Sequence, residues 1–374
     1  MLPEGLRDLL PERAARRRAI ASTVLATYAR WGYATVTLPA FERESVVARA
    51  VGGAVRRELV RFLDPDTGDV LVLRPDMTPQ IARLVATRYR EHPGPIRLSY
   101  EGSVVRRPRG RARRERQVSQ AGVECISHAA PAADVEVIAA TVAALREAGV
   151  RDLSVELSHA LAAPAVVDGL APHLRDPAAA ALASRDRAEW HAILDGDACD
   201  HLDLLARCAG TPDVLEREGA ALVARGHRDV VSELRSVADA LAGCGADLLV
   251  DLGELRGRGY YTGLFFQVLR DGVGVPLAAG GRYDALLGRY GTPRPATGAA
   301  IDLEAVEEAL RGSASAPPSK RVLVVGAADA RRVRAAELRA EGRSVAECDP
   351  MDPDDLAALV AWEGFAEVVT ADGG

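Results

Sequence analysis

Four short stretches of the chain combine charged or hydroxyl side chains with glycine or proline, and these stretches contain the residues best suited to chemistry. They are Arg74–Pro79, the arginine-rich segment Arg97–Glu124, Arg256–Gly263 and Ala279–Asp284. Each stretch taken alone also fits a solvated loop or a turn. Four such stretches in one chain instead indicate a polar binding site.

Two positions in the second stretch are spaced for a shared pocket. Gln120 and Glu124 lie four residues apart in a predicted strand, and residues at that spacing point to the same face of a sheet. Asp76 and Glu124 would supply negative partners to a cation, and Arg256 would pair with a carboxylate. This combination suits a zwitterionic amino acid as the ligand.

The basic residues are almost entirely arginine. The 374 residues include 47 Lys plus Arg, and Lys320 is the one lysine. Lys320 follows a Ser-, Ala- and Pro-rich segment typical of a linker, which makes it unsuited to a site. Schiff-base chemistry, PLP-dependent chemistry and a Walker-type phosphate loop are therefore excluded, because each requires a lysine in the site.

Bulk properties predict a cytoplasmic protein without cofactor or metal. The net charge of −6 provides no global basic field that would attract nucleic acid. No apolar run approaches the roughly 18 residues of a membrane span, and the N-terminus lacks the features of a signal peptide. The five cysteines are scattered, which fits reduced thiols.

A metal site is the less favoured interpretation of one group in the middle of the chain. His191, Cys199, His201 and Cys208 lie within one predicted helical block. Zinc motifs usually show paired ligands at tighter spacing. Ordinary helix residues are therefore the preferred interpretation.

The order of predicted elements indicates an α+β fold. Turn residues at 64–68 and 271–272 join short apolar runs, which predicts hairpins and an antiparallel sheet. A helical block of weak patterning, about 160–245, interrupts the strands. The predicted helices are 11–31, 79–89 and 132–147, and the predicted strands are 34–38, 59–63, 69–73, 155–157, 248–252, 260–269 and 275–279.

The pattern changes after residue 312. Residues 313–320 read as a linker, and 321–374 show the order βαβαβ, which predicts a small, mostly parallel α/β domain. Its first turn, Gly326–Asp329, lacks the glycine spacing that admits a dinucleotide. We therefore interpret 321–374 as a docking or oligomerisation module attached to a main domain of residues 1–312.

Five motifs in order carry a resemblance to a known family. Pro3–Asp8, Arg74–Thr78, Gln120–Glu124, Arg256–Tyr261 and Gly280–Asp284 look like the catalytic core of histidyl-tRNA synthetase, a class II synthetase. The resemblance covers about residues 1–310 and implies a dimer built on a six-stranded antiparallel sheet flanked by helices. The C-terminal segment resembles a shortened version of that family's anticodon-binding domain.

The resemblance implies a histidine pocket. In the family pattern Asp76, Thr78, Gln120 and Glu124 line the pocket, and Arg256 works at the histidine carboxylate and the adenylate phosphate. Tyr261 and Tyr283 close over the imidazole, and Arg106 matches the second class II motif. The full predicted histidine-binding set is Asp76, Thr78, Arg106, Gln120, Glu124, Arg256, Tyr260, Tyr261 and Tyr283.

Departures from the family pattern fall on the nucleotide side. Ala305 occupies the position of the family arginine that lies against ATP, Pro108 replaces a glutamate, and Gly259 replaces an aspartate. Removing one such charge-stabilising donor commonly costs on the order of a hundredfold to a thousandfold in rate. We therefore predict no catalytic residues and no aminoacylation.

A sequence that keeps the residues for amino-acid recognition and lacks those for adenylation resembles the regulatory-subunit group of ATP phosphoribosyltransferase. That resemblance implies histidine biosynthesis, allosteric feedback by bound L-histidine, and a hetero-oligomer with a short-form catalytic subunit; membrane and tRNA binding are not expected. Two alternatives remain. One is an active histidine–tRNA ligase with rearranged ATP contacts, and the other is a synthetase-like paralogue acting on an unrelated partner.

Overall fold

A computed structural model describes residues 2–50, 59–105, 116–256, 259–311 and 321–371. The chain divides into two compact units, the larger ending at Arg311 and the smaller beginning at Gly312. The predicted linker 313–320 lies outside the described residues. Within the described ranges, none of the helices has the length and apolar character needed to cross a membrane.

The larger unit begins with a long helix and alternates strands with helices. Its helices before the last strands are α1 (Pro11–Arg30), α2 (Glu44–Ala50), α3 (Thr78–Arg88) and α4 (Ala132–Glu147). Its strands up to that point are β1 (Ala34–Thr35), β2 (Phe41–Arg43), β3 (Arg61–Leu63), β4 (Val70–Leu73), β5 (Ile96–Val105), β6 (Gln117–Ile126) and β7 (Leu153–His159).

Seven helices and one short strand form the block that interrupts the sheet. They are α5 (Ala163–Gly169), α6 (Pro172–Ser184), α7 (Arg187–Ile193), α8 (Gly196–Arg207), β8 (Ala209–Gly210), α9 (Val214–Arg217), α10 (Gly219–Ala224) and α11 (Arg228–Ala240). The unit then ends with β9 (Asp247–Asp251), β10 (Leu264–Arg270), β11 (Ala278–Arg282), α12 (Asp284–Gly288), β12 (Ala296–Asp302) and α13 (Leu303–Ala309).

The main sheet contains nine strands among the described residues, in the order β1-β5-β6-β12-β11-β10-β7-β9-β8. The six central strands, from β5 to β7, are all antiparallel, which confirms the predicted α+β class and core sheet. The expectation of six strands was incomplete. Strands β1 and β9 add to the two edges in parallel orientation, and β8 pairs antiparallel with β9.

The two faces of this sheet differ in character because side chains alternate along each strand. One face carries apolar residues such as Val123, Leu157 and Val268, all fully buried in the main core. Helices α1 and α4 pack on this face, and α1 contributes Val24 and Tyr28 at helical spacing. The opposite face carries the polar residues and glycines of the motifs.

Several predicted strand boundaries were wrong. The strand predicted at 260–269 begins only at Leu264, because Tyr260 and Tyr261 lie in a turn that follows Gly259 with φ +78°. The strand predicted at 275–279 is observed at Ala278–Arg282. The strand predicted at 34–38 covers two residues, although the Val36 amide still donates to the Ser99 carbonyl at 2.8 Å.

A small antiparallel sheet lies beside the strand end that carries Asp76. Its order is β2-β4-β3, and the hairpin between β3 and β4 confirms the turn predicted at 64–68. Strand β4 ends just before Arg74. The guanidinium of Arg74 donates to the carbonyls of Leu38 and Ser103, at 2.8 and 2.7 Å, which fixes this strand end against β5.

The smaller unit has the predicted βαβαβ order. Its elements are β13 (Arg321–Gly326), α14 (Ala328–Ala340), β14 (Ser344–Cys348), α15 (Pro353–Glu363) and β15 (Glu367–Ala371). Strand β13 lies in the centre and pairs in parallel with both neighbours. Its own core contains Val322, Val324, Ala335 and Leu338.

Candidate functional site

The polar face of the main sheet has small residues in its middle strands and large polar or aromatic residues on both sides. Pairing across six strands places residues side by side in two adjacent rows on this face. The first row is Glu156, Gln267, Ala279, Ala300, Gly122 and Tyr100, and the second is Ser158, Phe265, Gly281, Gly298, Glu124 and Leu98. The result is a groove with a floor of glycine and alanine.

Two floor positions require glycine because other side chains lie directly over them. A Cβ on Gly298 would come within 2.0 Å of Glu124 Oε2 and 2.6 Å of the Tyr283 hydroxyl. A Cβ on Gly122 would come within 2.5 Å of the Tyr100 hydroxyl and of the Ala299 carbonyl oxygen. The glycines therefore make room for the polar groups that the motifs bring together.

Glu124 is the centre of a buried polar cluster. Thr78 Oγ1 donates to Glu124 Oε1 at 2.8 Å, and the Tyr100 hydroxyl lies 3.5 Å from the same oxygen. Glu124 is only 2% exposed, and burial raises the pKa of its carboxyl well above the usual range, with the charge on Asp76 adding to the shift.

Two buried atoms of this cluster have no hydrogen-bond partner among the described residues. They are Glu124 Oε2 and the Tyr283 hydroxyl, and both lie over Gly298. Leaving a buried polar group without a partner costs about 1–3 kcal/mol. A ligand could complete the hydrogen bonds of both atoms, so this pair is a candidate binding position.

Asp76 lies at the N-terminal end of α3, beside the same cluster. Its Oδ1 accepts a hydrogen bond from the Met77 amide at 2.7 Å, and the Thr78 amide lies 3.4 Å away. These amides fix the carboxylate at the helix end, where a negative charge is stabilised. The side chain also lines a cavity beside the cluster.

Aromatic side chains form one wall of the site. Tyr260 contacts Tyr261 and Tyr283, with ring centroids 5.2 and 5.5 Å apart, and Tyr261 stacks on Phe265 at 5.4 Å. Burial, with Asp76 and Glu124 close by, raises the pKa of Tyr260 well above its usual value. The wall therefore presents neutral, hydrogen-bonding tyrosines to the groove.

Tyr283 is held by an ion-pair network behind the wall. Arg282 donates through Nε and Nη2 to Asp134 at 3.0 and 2.8 Å, and its Nη1 donates to Asp284 at 3.1 Å. Both Arg282 and Asp134 are buried. The Thr262 amide donates to the Arg282 carbonyl at 2.7 Å, so the turn that carries Tyr260 is tied to the same network.

A cavity of about 270 Å³ opens beside this wall. It is lined by Asp76, Glu156, Ser158, Glu254, Arg256, Tyr260, Tyr261, Phe265, Phe266, Gln267 and Ala279. Four residues of the predicted set line it directly. Thr78, Glu124 and Tyr283 form the buried cluster next to it, which the aromatic contact between Tyr260 and Tyr283 connects to the cavity.

Arg256 is the one cation among the described residues that line this cavity. Its Nη1 donates to Gln267 Oε1, and its Nε lies 3.9 Å from Glu254. Asp76, Glu156 and Glu254 line the same cavity. The cavity therefore combines three carboxyl groups with a single guanidinium, which suits a ligand that has both a cationic group and a carboxylate.

The remaining predicted residues lie further away or outside the described ranges. Gln120 is buried on the polar face, four residues from Glu124 as predicted, and pairs across the sheet with Gly102 and Asp302. It does not line the cavity. Arg106 and Pro108 lie outside the described residues.

The region around Ala305, which we call the nucleotide end because the matching family arginine lies against ATP, contains a cluster of paired charges on the α1 side of the sheet. Arg17 donates to Glu304 at 2.6 Å and to Glu307 at 2.5 Å, and the Ser119 amide donates to Glu304 at 2.9 Å. Burial raises the pKa of Glu304, and the charge on Arg17 opposes that shift. Ala305 is 1% exposed and packs into the apolar core.

Among the described residues, His191, Cys199, His201 and Cys208 are not grouped with their ligand atoms close together. His191 pairs with Asp203 at 2.9 Å, and His201 faces His227 with 2.6 Å between their Nε2 atoms. Across the described residues, the one cluster with ligand atoms close enough for a metal is Glu156, Asp251 and Glu254. Asp251 already forms an ion pair with Arg185.

Several lining residues were missed from sequence. Glu156 and Ser158 alternate with buried Val155 and Leu157, and this period-two pattern would have placed them on the polar face. Gln267 lies within a buried apolar run, where a lone amide indicates a polar contact. Tyr100 gave no local signal, because its role depends on strand pairing with Gly122.

Comparisons with known proteins place this chain in a family. The family described as Histidyl-tRNA synthetase matches residues 5–306. The chain is 39% identical to an "ATP phosphoribosyltransferase regulatory subunit" from Anaeromyxobacter dehalogenans, covering 83% of this chain and 91% of that relative. It is 38% identical to the protein of the same name from Moorella thermoacetica, covering 97% and 96%.

A solved structure agrees with these relatives. The Bacillus halodurans protein described as "ATP phosphoribosyltransferase regulatory subunit/histidyl-tRNA synthetase" superposes with a TM-score of 0.83 at 28% identity, covering all of this chain and 98% of that chain. The chain therefore belongs to the histidyl-tRNA synthetase-like family, and within it to the group of ATP phosphoribosyltransferase regulatory subunits.

Proposed function

We propose that this chain is a non-catalytic regulatory subunit that activates a short-form ATP phosphoribosyltransferase catalytic subunit in the first step of histidine biosynthesis. In this proposal the chain binds L-histidine, which inhibits the complex by feedback, and it self-associates as a dimer. The names of its relatives support the role in the complex. The observation that carries the histidine role is the buried Thr78–Glu124 cluster with its two unpartnered atoms.

Histidine matches this site group by group. Its imidazole N–H would donate to Glu124 Oε2 while Tyr283 packs over the ring. The α-ammonium group would face Asp76, and the carboxylate would face Arg256, which lines the same cavity. Each of these contacts is a charge-assisted or buried hydrogen bond, the kind that contributes most to affinity.

Arg106, Gln120 and Tyr260 complete the proposed histidine-binding set with Thr78 and Tyr261. Tyr260 and Tyr261 belong to the aromatic wall, and Thr78 orients Glu124 through its 2.8 Å hydrogen bond. Gln120 is buried on the same face as Glu124. Arg106 is included because it matches the second class II motif of the family.

The nucleotide end supports a role without adenylation. A guanidinium at position 305 would have to enter the apolar core, and Arg17 is already paired with two carboxylates. The strongest electrostatic contribution to the family reaction comes from donors aimed at developing negative charge. Ala305 supplies no such donor, so we expect histidine to bind without being activated.

Calorimetry with L-histidine tests the binding proposal. Wild type, alone or with the catalytic subunit, should bind histidine, and Asp76→Ala should weaken binding about tenfold or more through loss of the ammonium partner. The exposed Asp66 provides the matched control, since Asp66→Ala should bind like wild type. Undetectable binding by the chain in both states would contradict the proposal.

An active histidine–tRNA ligase is the second candidate. It is favoured by the family match over residues 5–306 and by the double description of the Bacillus halodurans protein. The deciding measurement is histidine-dependent exchange between ATP and pyrophosphate. A robust exchange signal would replace the regulatory proposal, and its absence in a preparation that binds histidine would exclude the ligase.

A further inference from the structure

Three polar side chains form a hydrogen-bonded chain across the cavity floor. Arg256 Nη1 donates to Gln267 Oε1, and Gln267 Nε2 donates to Glu156 Oε1 at 2.5 Å. Gln267 and Glu156 are directly paired neighbours on β10 and β7, so their side chains lie next to each other on the polar face. All three residues line the same cavity.

The order of donors in this chain is fixed by chemistry. An ionised carboxylate only accepts hydrogen bonds, so Glu156 requires the amide nitrogen of Gln267 on its side. The carbonyl oxygen of Gln267 must then face Arg256, whose guanidinium only donates. Because Gln267 is 6% exposed, water does not compete effectively for its amide.

Two further carboxylates, Asp251 and Glu254, lie close to Glu156, and Asp251 forms an ion pair with Arg185. Burial, followed by the charges on Asp251 and Glu254, raises the pKa of Glu156, and the hydrogen bond from Gln267 opposes that shift, as does the charge on Arg185. The hydrogen bond from Gln267 therefore favours the acceptor form of Glu156.

We propose that Gln267 and Glu156 are positioning residues that aim Arg256 at the carboxylate of the bound amino acid. Arg256 is more than half exposed, and its nearest other carboxylate is 3.9 Å away on Glu254. Without the Gln267 contact the long side chain would sample many rotamers, and binding would have to order it. This proposal rests on the proposed histidine site.

The arrangement also selects the ligand class. Arg256 is the single described cation that lines the cavity, while three carboxylates share its wall. A ligand without a carboxylate gains nothing from an ordered Arg256. The pair Gln267 and Glu156 should therefore favour histidine over histamine, its decarboxylated analogue, without changing how the imidazole is held.

Calorimetry of the full chain with histidine and with histamine tests this role. Gln267→Leu should weaken histidine binding at least about tenfold, the scale of one charge-assisted hydrogen bond, and leave histamine binding unchanged. Glu156→Ala should behave like Gln267→Leu. Glu156→Gln should restore most of the affinity, because its amide oxygen can still accept from Gln267. Gln117→Leu, at an exposed glutamine, is the matched control.

A double-mutant cycle with Arg256→Ala gives a second, independent measure. Since Gln267 acts through Arg256, adding Gln267→Leu to Arg256→Ala should cause no further loss of histidine affinity. Additive losses, or equal losses for histidine and histamine, would overturn the positioning role alone. Failure of wild type to bind histidine would overturn the proposed function as well, so the two outcomes are distinguishable.

Discussion

The amino-acid end of the groove and the nucleotide end around Ala305 differ in how buried carboxyl groups are paired. At the amino-acid end, Glu124 Oε2 and the Tyr283 hydroxyl have no partner among the described residues and lie over a glycine floor. At the nucleotide end, Glu304 and Glu307 pair with Arg17, although Arg17 Nε and Glu307 Oε1 also lack partners there, and Ala305 is packed into the core. The carboxylates of the nucleotide end therefore have a cation within the protein, whereas no described cation pairs with Glu124.

This difference separates the region for amino-acid recognition from the region that matches the adenylation site of the family. A buried carboxyl with a raised pKa and an unpartnered oxygen is costly to maintain, and it is retained where a ligand compensates for it. A buried ion pair costs less to maintain because each charge neutralises the other. The contrast predicts that mutations at the nucleotide end change stability, and mutations at the amino-acid end change affinity.

The largest expected effect is on stability, at the nucleotide end. Arg17→Ala removes the closest cation from Glu304 and leaves the buried Glu307 with only the partly exposed Arg13, so it should lower the free energy of unfolding by roughly 3–5 kcal/mol. Chemical denaturation measures the change. Histidine affinity should stay at the wild-type value below the unfolding transition, and a large loss of affinity would show that the two ends are coupled.

The next effect concerns affinity, at the amino-acid end. Glu124→Gln keeps the shape of the side chain but cannot become a carboxylate when histidine binds, so histidine binding should fall about tenfold to a hundredfold. Calorimetry gives the value. Glu147→Gln, at an exposed position, should bind like wild type. Unchanged affinity in Glu124→Gln would remove Glu124 from the site.

Relative to wild type, the same substitution should stabilise the unliganded protein more strongly as pH rises. The folded-state pKa of Glu124 is raised, so the stability linked to its neutral form is complete below the unfolded-state pKa and is lost as pH rises towards the folded-state value. Glutamine stays neutral throughout. The melting temperature of Glu124→Gln minus that of wild type should therefore increase from pH 5 to pH 8, and a constant difference would contradict the raised pKa.

The smallest effect comes from the exposed edge of the nucleotide-end cluster. Arg13 donates to Glu307 at 3.2 Å, but its side chain is 39% exposed. Arg13→Ala should lower the free energy of unfolding by less than about 1 kcal/mol. A loss equal to that of Arg17→Ala would show that burial does not distinguish these two arginines.

Local patterns predicted the parts of this molecule that depend on neighbours in sequence. Helix α1, the hairpin of β3 and β4, and the shared face of Gln120 and Glu124 all follow from spacing along one element. The order of motifs predicted the antiparallel core. The turn at Tyr260 was mistaken for a strand because aromatic residues favour strands, while Gly259 imposes a positive φ.

Contacts between distant parts of the chain had no local signal. Arg17 and Glu304 form a hydrogen bond although they lie near opposite ends of the larger unit's sequence. Gln267 and Glu156 meet only through the pairing of β10 with β7. The sequence therefore predicted most of the residues that the structure brings together around Glu124 and the cavity. It predicted the loss of the arginine at position 305 but not the ion pairs of Arg17 with Glu304 and Glu307.

Reconstitution with a short-form ATP phosphoribosyltransferase catalytic subunit tests the central claim most directly. Formation of phosphoribosyl-ATP should depend on adding this chain, and L-histidine should suppress it in wild type but much less in Glu124→Gln. Activity that is independent of the chain, or equal histidine inhibition in wild type and Glu124→Gln, would contradict the account.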